Sequence, residues 1–89
     1  MKTVICVKSE LQGKRVLEKI MYNKAKLGIN PIRYISRHLK VKFEDGTEYQ
    51  AIEYRNFYGI IADKIIVDDI LTPEEYMRVM TYAKEHNNG

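Results

Sequence analysis

The chain has the sequence ADKIIVDDIL over residues 62–71, and this stretch decides the fold that we predict. Residues 65–67 are apolar and β-branched, which is typical of a strand buried on both faces of a parallel or mixed sheet. Asp68 and Asp69 follow directly, at the carboxyl end of that strand. Because open α/β sheets bind ligands at this edge, the two carboxylates are the first candidates for a functional site.

A second strand and a helix are predicted near the start of the chain. Residues 3–7, TVICV, form a continuous apolar and β-branched run, which indicates another central strand. Ser9 then begins a capping-box pattern, so a helix should follow and run to about Leu27. Gly28 is well placed to cap its carboxyl end. Gly13 lies in the apolar stripe of this helix, where a missing side chain allows close approach to the sheet.

Residues 32–54 show apolar positions with a period of two, which predicts a β-hairpin. A two-residue loop would set apolar side chains opposite polar ones, whereas a three-residue loop sorts them by face. We therefore predict a loop at residues 44–46, with Gly46 in the left-handed region and Val41 opposite Tyr49.

A second helix should begin after the stretch 62–71, because Thr72, Pro73 and Glu75 match an N-cap, a first helical residue and a capping box. The predicted order of elements is β-α-β-β-β-α. We expect one domain over residues 1–89: a small mixed α/β sheet of about four strands, covered by two helices, with the strand at 65–67 in its centre.

Composition indicates a small soluble protein. The chain has 89 residues, of which 45% are hydrophobic and 30% charged, and no apolar run approaches the roughly 18 residues of a membrane span. The amino terminus lacks the pattern of a signal peptide. Cys6 is the single cysteine and lies in an apolar run, so a buried structural thiol is expected. These features predict a cytoplasmic location without membrane contact.

Charge is distributed unevenly along the chain. Residues 1–42 hold eleven Lys or Arg and two Glu, a net charge of +9, whereas residues 43–89 hold four Lys or Arg and ten Asp or Glu, a net charge of −6. Such asymmetry can mark an anion-binding face or a charge-complementary contact within a dimer. A fold that interleaves the two halves would instead average the field.

The first helix carries a basic stripe. Four side chains at offsets of four, three and four share one of its faces: Arg15, Lys19, Tyr22 and Lys26. Such a stripe suits a phosphate backbone or another anion, and an ordinary solvated face is the alternative. Lys8 and Ser9 stand at the start of the helix, where backbone N–H groups also favour anions.

Aromatic side chains are concentrated in residues 54–59, YRNFYG, before the stretch 62–71. Phe57 and Tyr58 lie beside the cation Arg55, a combination that can stack on bases or nucleotides. The alternative is that these rings fold back as a lid on a small core.

Part of the chain resembles a known protein family. Residues 59–69, GIIADKIIVDD, resemble the Walker B strand, with its lead-in, of P-loop ATPases of the phage terminase and helicase type. The strand and helix at 4–21 and the hairpin at 41–49 also resemble the upstream elements of that group. The resemblance implies that Asp68 occupies the magnesium-coordinating position. It implies that Asp69 occupies the catalytic carboxylate position, which is more often Glu.

The chain departs from this family in its phosphate-binding loop. The motif G-x-x-x-x-G-K-[ST] does not occur in the sequence, and Gly13-Lys14-Arg15 lacks both the loop and the hydroxyl residue. Without this cradle and its lysine, triphosphate hydrolysis is not expected, so we predict that the protein is not an enzyme and needs no cofactor. Asp68 and Asp69 are then either a Mg²⁺ site or a strand-end pair that leads into a capped helix.

Three functions remain open. The first, which we predict, is a non-catalytic intracellular binding protein of the phage or mobile-element accessory type, which engages a protein or an anionic partner. A homodimer is expected because the core is small. The second is a nucleic-acid or nucleotide-binding protein that uses the basic helix and the aromatic loop. The third is a metal-dependent nuclease or nucleotide hydrolase on Asp68 and Asp69.

Overall fold

The structure is a computed structural model that describes residues 1–57, 60–67 and 71–85. Two short 3₁₀ turns, at Ser36–His38 and Tyr54–Asn56, separate some of its strands. In chain order the helices and strands are β1 (Lys2–Val7), α1 (Glu10–Lys26), β2 (Pro31–Ile35), β3 (Lys40–Phe43), β4 (Glu48–Glu53), β5 (Ile60–Ala62), β6 (Lys64–Val67), α2 (Pro73–Tyr82) and β7 (Ala83–Glu85).

Five of these strands form a mixed sheet in the order β2-β3-β4-β1-β6. β1 pairs in parallel with both β4 and β6, whereas β3 is antiparallel to both β2 and β4. β5 and β7 form a separate parallel pair. The predicted fold class, a small mixed α/β sheet with two helices, is confirmed. β2 adds a fifth strand to the main sheet.

β1 supplies side chains to two hydrophobic clusters, one on each face of the sheet. Ile5 and Val7 pack with Leu17 of α1 on the first face. Val4 and Cys6, the predicted buried thiol, pack on the second face in a cluster that contains residues of β5 and α2. Because alternate residues of a strand point to opposite faces, both clusters require an unbroken apolar run in β1.

The prediction that the strand at 65–67 is central is wrong. β6 is the last strand of the sheet and pairs with β1. Ile66 lies opposite Ile5, on the face that α1 covers elsewhere, and it is still 40% exposed. Within residues 65–67, Ile65 and Val67 are half-buried against the second cluster, so this run is covered on one face rather than two.

Both predicted ends of α1 are confirmed. Ser9 Oγ accepts the N–H of Gln12 at 3.3 Å, and the Gln12 side chain accepts the N–H of Lys8 at 3.0 Å. At the other end Gly28 has φ +75°, and the Ile29 N–H donates to a carbonyl five residues earlier at 2.9 Å. This six-residue closure is the Schellman motif, which satisfies carbonyls that the helix leaves open.

The hairpin register is also as predicted. Val41 lies opposite Tyr49, and the three-residue loop ends at Gly46 with φ +87°. Phe43 closes the loop by donating its N–H to the Thr47 carbonyl at 2.9 Å. Within the described ranges, no helix is long and apolar enough to cross a membrane.

We expect Gly13→Ala to lower the free energy of unfolding by about 1 to 2 kcal/mol in urea denaturation. An added Cβ would lie 2.8 Å from Leu39 Cδ1 and 3.1 Å from Ala51 Cβ. The Ala51 atom cannot rotate away, so the clash exceeds the gain of about 1 kcal/mol in helix propensity. The matched control is Asn23→Ala, at an exposed position of α1, which should be neutral or stabilising. Unchanged stability of Gly13→Ala would contradict close packing of α1 on the sheet.

Candidate functional site

The fold brings the basic and the acidic halves of the chain together. β4 and β6, from the acidic half, flank β1 from the basic half. Interleaving, one of the three interpretations of the charge asymmetry, is therefore what the structure shows. Four ion pairs join the two halves: Lys2–Glu48, Lys8–Glu75, Lys24–Asp45 and Lys40–Glu48.

Interleaving does not neutralise every cation. Within the part of the chain that the structure describes, six exposed cations of residues 1–42 have no carboxylate within salt-bridge distance: Arg15, Lys19, Lys26, Arg33, Arg37 and Lys42. The first three lie on the outer face of α1, and the others lie on β2, β3 and the turn between them. The field of the basic half is therefore concentrated on two surfaces.

The first surface is the predicted stripe on α1, which we call the α1 stripe: Arg15, Lys19, Tyr22 and Lys26. All four side chains are exposed, whereas Gly13 and Leu17 on the opposite side of the helix are buried. Lys26 Nζ lies 4.5 Å from the centroid of the Tyr22 ring, a cation–π contact that keeps both groups at the surface. The stripe therefore points away from the sheet, as predicted.

A shallow groove of about 520 Å³ runs beside the amino-terminal half of this stripe. Leu11 and Val16 give it an apolar floor. Four of the residues predicted to bind an anion line the groove together: Lys8, Ser9, Arg15 and Lys19. These four predicted residues therefore share one surface at the amino-terminal end of α1.

Lys8 and Ser9 differ from the other two because their polar groups are already engaged. Lys8 Nζ contacts both carboxylate oxygens of Glu75, at 2.7 and 2.5 Å, and lies 5.2 Å from the Tyr54 ring. Ser9 caps α1 through the N–H of Gln12. These contacts stabilise the turn between β1 and α1, and they leave the exposed cations of the α1 stripe as the stronger anion candidate.

The aromatic connection contributes less to the surface than the sequence suggested. Phe57 is 1% exposed and belongs to the second hydrophobic cluster, so its predicted role in binding is wrong and the lid over the core is correct for this ring. Arg55 is exposed, with Nε 3.5 Å from Glu53 Oε1 and its guanidinium 5.5 Å from the Tyr54 ring. Tyr58 lies outside the described residues.

The predicted metal site cannot be placed, because Asp68 and Asp69 lie outside the described residues. Among the residues that are described, no group of three or more His, Cys, Asp and Glu side chains is arranged to hold a metal ion. The turn from β1 to α1 consists of Lys8 and Ser9 alone, which is shorter than the phosphate-binding loop of the family that the sequence resembles.

Comparison of the chain with protein families, with curated proteins and with solved structures finds no match.

A second basic surface was not predicted from the sequence. Arg33, Lys40 and Lys42 line a small cavity of about 170 Å³ on the face of the sheet opposite α1, together with Ile35 and Glu48. The alternation of Lys40 and Lys42 along β3 was a signal for part of it. No such signal existed for Arg33, because the face of the sheet on which Arg33 lies depends on an irregularity in the pairing of β2 with β3.

We predict that the ion pair between Lys8 and Glu75 makes stability depend on pH in the acid range. The hydrogen bond from Lys8, followed by those from the Thr72 backbone N–H and from Tyr54, lowers the pKa of Glu75 from its ordinary 4.5 to about 2. A folded-state pKa below the unfolded value gives stabilisation that is present above pH 4.5 and is lost as pH falls towards 2.

Lys8→Met should therefore be less stable than the wild type at pH 7, and the two should converge as pH falls through this window. Urea denaturation followed by circular dichroism between pH 2 and pH 7 measures the difference in free energy of unfolding between the two proteins. Its pH dependence should correspond to roughly one titrating group. Lys14→Met is the matched control, since Lys14 only reaches Glu10 at 3.9 Å on the surface of α1. A stability difference that stays constant over the whole pH range would show that the pair does not carry the effect.

Proposed function

We propose that this protein is a non-catalytic binding protein and that its α1 stripe holds the phosphate backbone of a nucleic acid. One observation carries the proposal: Arg15, Lys19 and Lys26 are exposed without a carboxylate partner in the described part of the chain. Cations that lie closer to the sheet, such as Lys24, are paired with acidic side chains.

The spacing of the stripe suits a polyanion rather than a single small anion. Arg15 and Lys26 are eleven positions apart on one helix, which corresponds to about 16 Å along the axis. A row of cations over that length can contact several phosphates of one strand. Tyr22 lies within the row and offers a ring for stacking on an exposed base. Contacts of this kind position a nucleic acid without reading its sequence.

The proposal includes a cytoplasmic location, which the single buried cysteine favours, and an accessory role of the phage or mobile-element type, which is an analogy from the sequence resemblance. It involves no catalytic step, because the phosphate-binding loop of the resembled family is missing from the sequence. A protein partner with an acidic surface would use the same cations, but a protein specific for that partner would show no salt-sensitive binding of oligonucleotides.

The double variant Lys19→Glu/Lys26→Glu should weaken binding of labelled duplex and single-stranded oligonucleotides of any sequence, by roughly tenfold or more at low salt. The slope of log K against log salt should become shallower by about 0.7 to 0.9 for each lost phosphate contact. Both positions are exposed, so the free energy of unfolding should change by less than about 0.5 kcal/mol. Fluorescence anisotropy at several salt concentrations provides the measurement.

The matched control is Lys64→Glu/Arg78→Glu, which makes the same change in net charge at exposed positions away from α1. It should lower affinity much less than the stripe variant. Equal losses in the two variants would mean that only net charge matters. Flat titrations of the wild type at both low and physiological salt would eliminate the nucleic-acid proposal.

We also propose that the protein forms a homodimer through β2, which is the outer strand of the main sheet next to β3. Its Ile32 is 62% exposed and its Tyr34 is 43% exposed, so the strand offers both a pairing edge and apolar side chains. Sedimentation should show a dimer at micromolar concentration, and Tyr34→Lys should shift the equilibrium to monomer. A wild-type monomer throughout this range would remove the claim.

A further inference from the structure

The second basic surface consists of side chains from cross-strand pairs on the neighbouring strands β2, β3 and β4. Arg33 lies opposite Lys42, and Lys42 lies opposite Glu48, so these three form one row across β2, β3 and β4. Ile35 and Lys40 pair in the next row. The neighbours of Lys42 in β3, Val41 and Phe43, are buried under α1, so these rows lie on the opposite face.

Within the described residues, the hydrophobic cluster on this face does not include residues of β2 or β3. It is built around Val4 and Cys6 of β1, with residues of β5 and α2, and Ile52 of β4 packs at its side. Arg33 and Lys42 are exposed, and the cavity of about 170 Å³ lies between the two rows. Strands hold these side chains at fixed spacing, which is how binding groups are kept in register.

A bulge in β2 puts Arg33 on this face. Pro31 pairs with Phe43, and uninterrupted pairing would then set Arg33 opposite Val41, on the buried side. The register shifts between Pro31 and Arg33 by one residue, so that Arg33 meets Lys42 instead. Bulges are known to re-aim side chains beside functional sites. Here the extra residue of the bulge places Arg33 beside Lys42, so that two cations lie next to each other.

That pair is unfavourable by itself. Like charges directly opposite each other on neighbouring strands repel. Glu48 lies opposite Lys42, but its carboxylate forms its salt bridges with Lys40 at 3.5 Å and with Lys2 at 3.9 Å. No other carboxylate in the described parts of the chain forms a salt bridge with Arg33 or Lys42. An unfavourable pair of like charges on neighbouring strands is typical of a functional site, where a bound ligand supplies the compensating negative charge.

We infer that this cavity binds a phosphate monoester that carries hydroxyl groups, as a nucleotide or a sugar phosphate does. The doubly charged phosphate would lie between the Arg33 guanidinium, which can donate two parallel hydrogen bonds, and the Lys42 ammonium. Glu48 would accept a hydrogen bond from a ligand hydroxyl, and Ile35 would contact its carbon atoms. The site is separate from the α1 stripe, which lies on the other face of the sheet.

The test uses adenosine monophosphate as the probe, with adenosine as its matched ligand without phosphate. In ¹⁵N-labelled protein, adenosine monophosphate should shift the amide signals of Arg33 and Lys42, and adenosine should not. Arg33→Glu should weaken this binding at least tenfold and should leave the melting temperature equal or higher, because the like-charge pair becomes an opposite-charge pair. Loss of binding through unfolding would lower that temperature instead.

Lys19→Glu/Lys26→Glu should leave binding of adenosine monophosphate unchanged, so this inference and the proposed function can fail separately. Equal binding of adenosine and adenosine monophosphate, or undiminished binding in the Arg33→Glu variant, would overturn the inference. A second comparison identifies the source of the phosphate group. Tighter binding of a 5′-phosphorylated oligonucleotide than of its 5′-hydroxyl form, lost in Arg33→Glu, supports the site and assigns it to a nucleic-acid end. Equal binding of the two oligonucleotides, with adenosine monophosphate still bound, supports a free small ligand.

Discussion

Burial of β1 on both faces and on both edges is the constraint on which the rest of the structure depends. Its residues from Thr3 to Val7 are all buried, and parallel partners flank it on either side. Parallel neighbours cannot be joined by tight turns, so the chain must leave β1 through α1 and return across the sheet. The connection at the end of β1 then brings Lys8 to Glu75, which ties the turn between β1 and α1 to α2.

The same interleaving decides which charges are left for function. Each salt bridge between the basic and acidic halves of the chain, such as that of Lys24 with Asp45, neutralises a cation that would otherwise contribute to the positive surface potential. The cations of residues 1–42 that remain exposed lie on the outside of α1, on β2 and β3 and on the turn between those strands, and none of them has a salt bridge to a carboxylate among the described residues. An uneven sequence charge thus becomes two discrete basic surfaces on opposite faces of the sheet. A polyanion suits the long surface, and a small phosphate ester suits the concave one.

Local patterns were sufficient to predict the helix caps, the hairpin register and the exposed face of α1, because each depends on contacts between residues near in sequence. The position of β6 was not predictable in this way. Ile66 has the same local pattern in an edge strand as in a central one, and it is 40% exposed in the last strand of the sheet. Phe57 was ambiguous for a similar reason, since its burial depends on α2. Arg33 was missed because a one-residue bulge reverses its face.

We propose that the unpaired cations of the α1 stripe hold a nucleic-acid backbone. Amide chemical-shift mapping of ¹⁵N-labelled protein during titration with a short DNA duplex at low salt tests this proposal most directly. We expect the largest shifts along α1 from Arg15 to Lys26, reversed when salt is raised. Shifts confined to α2 and β6, or none along α1, would contradict it.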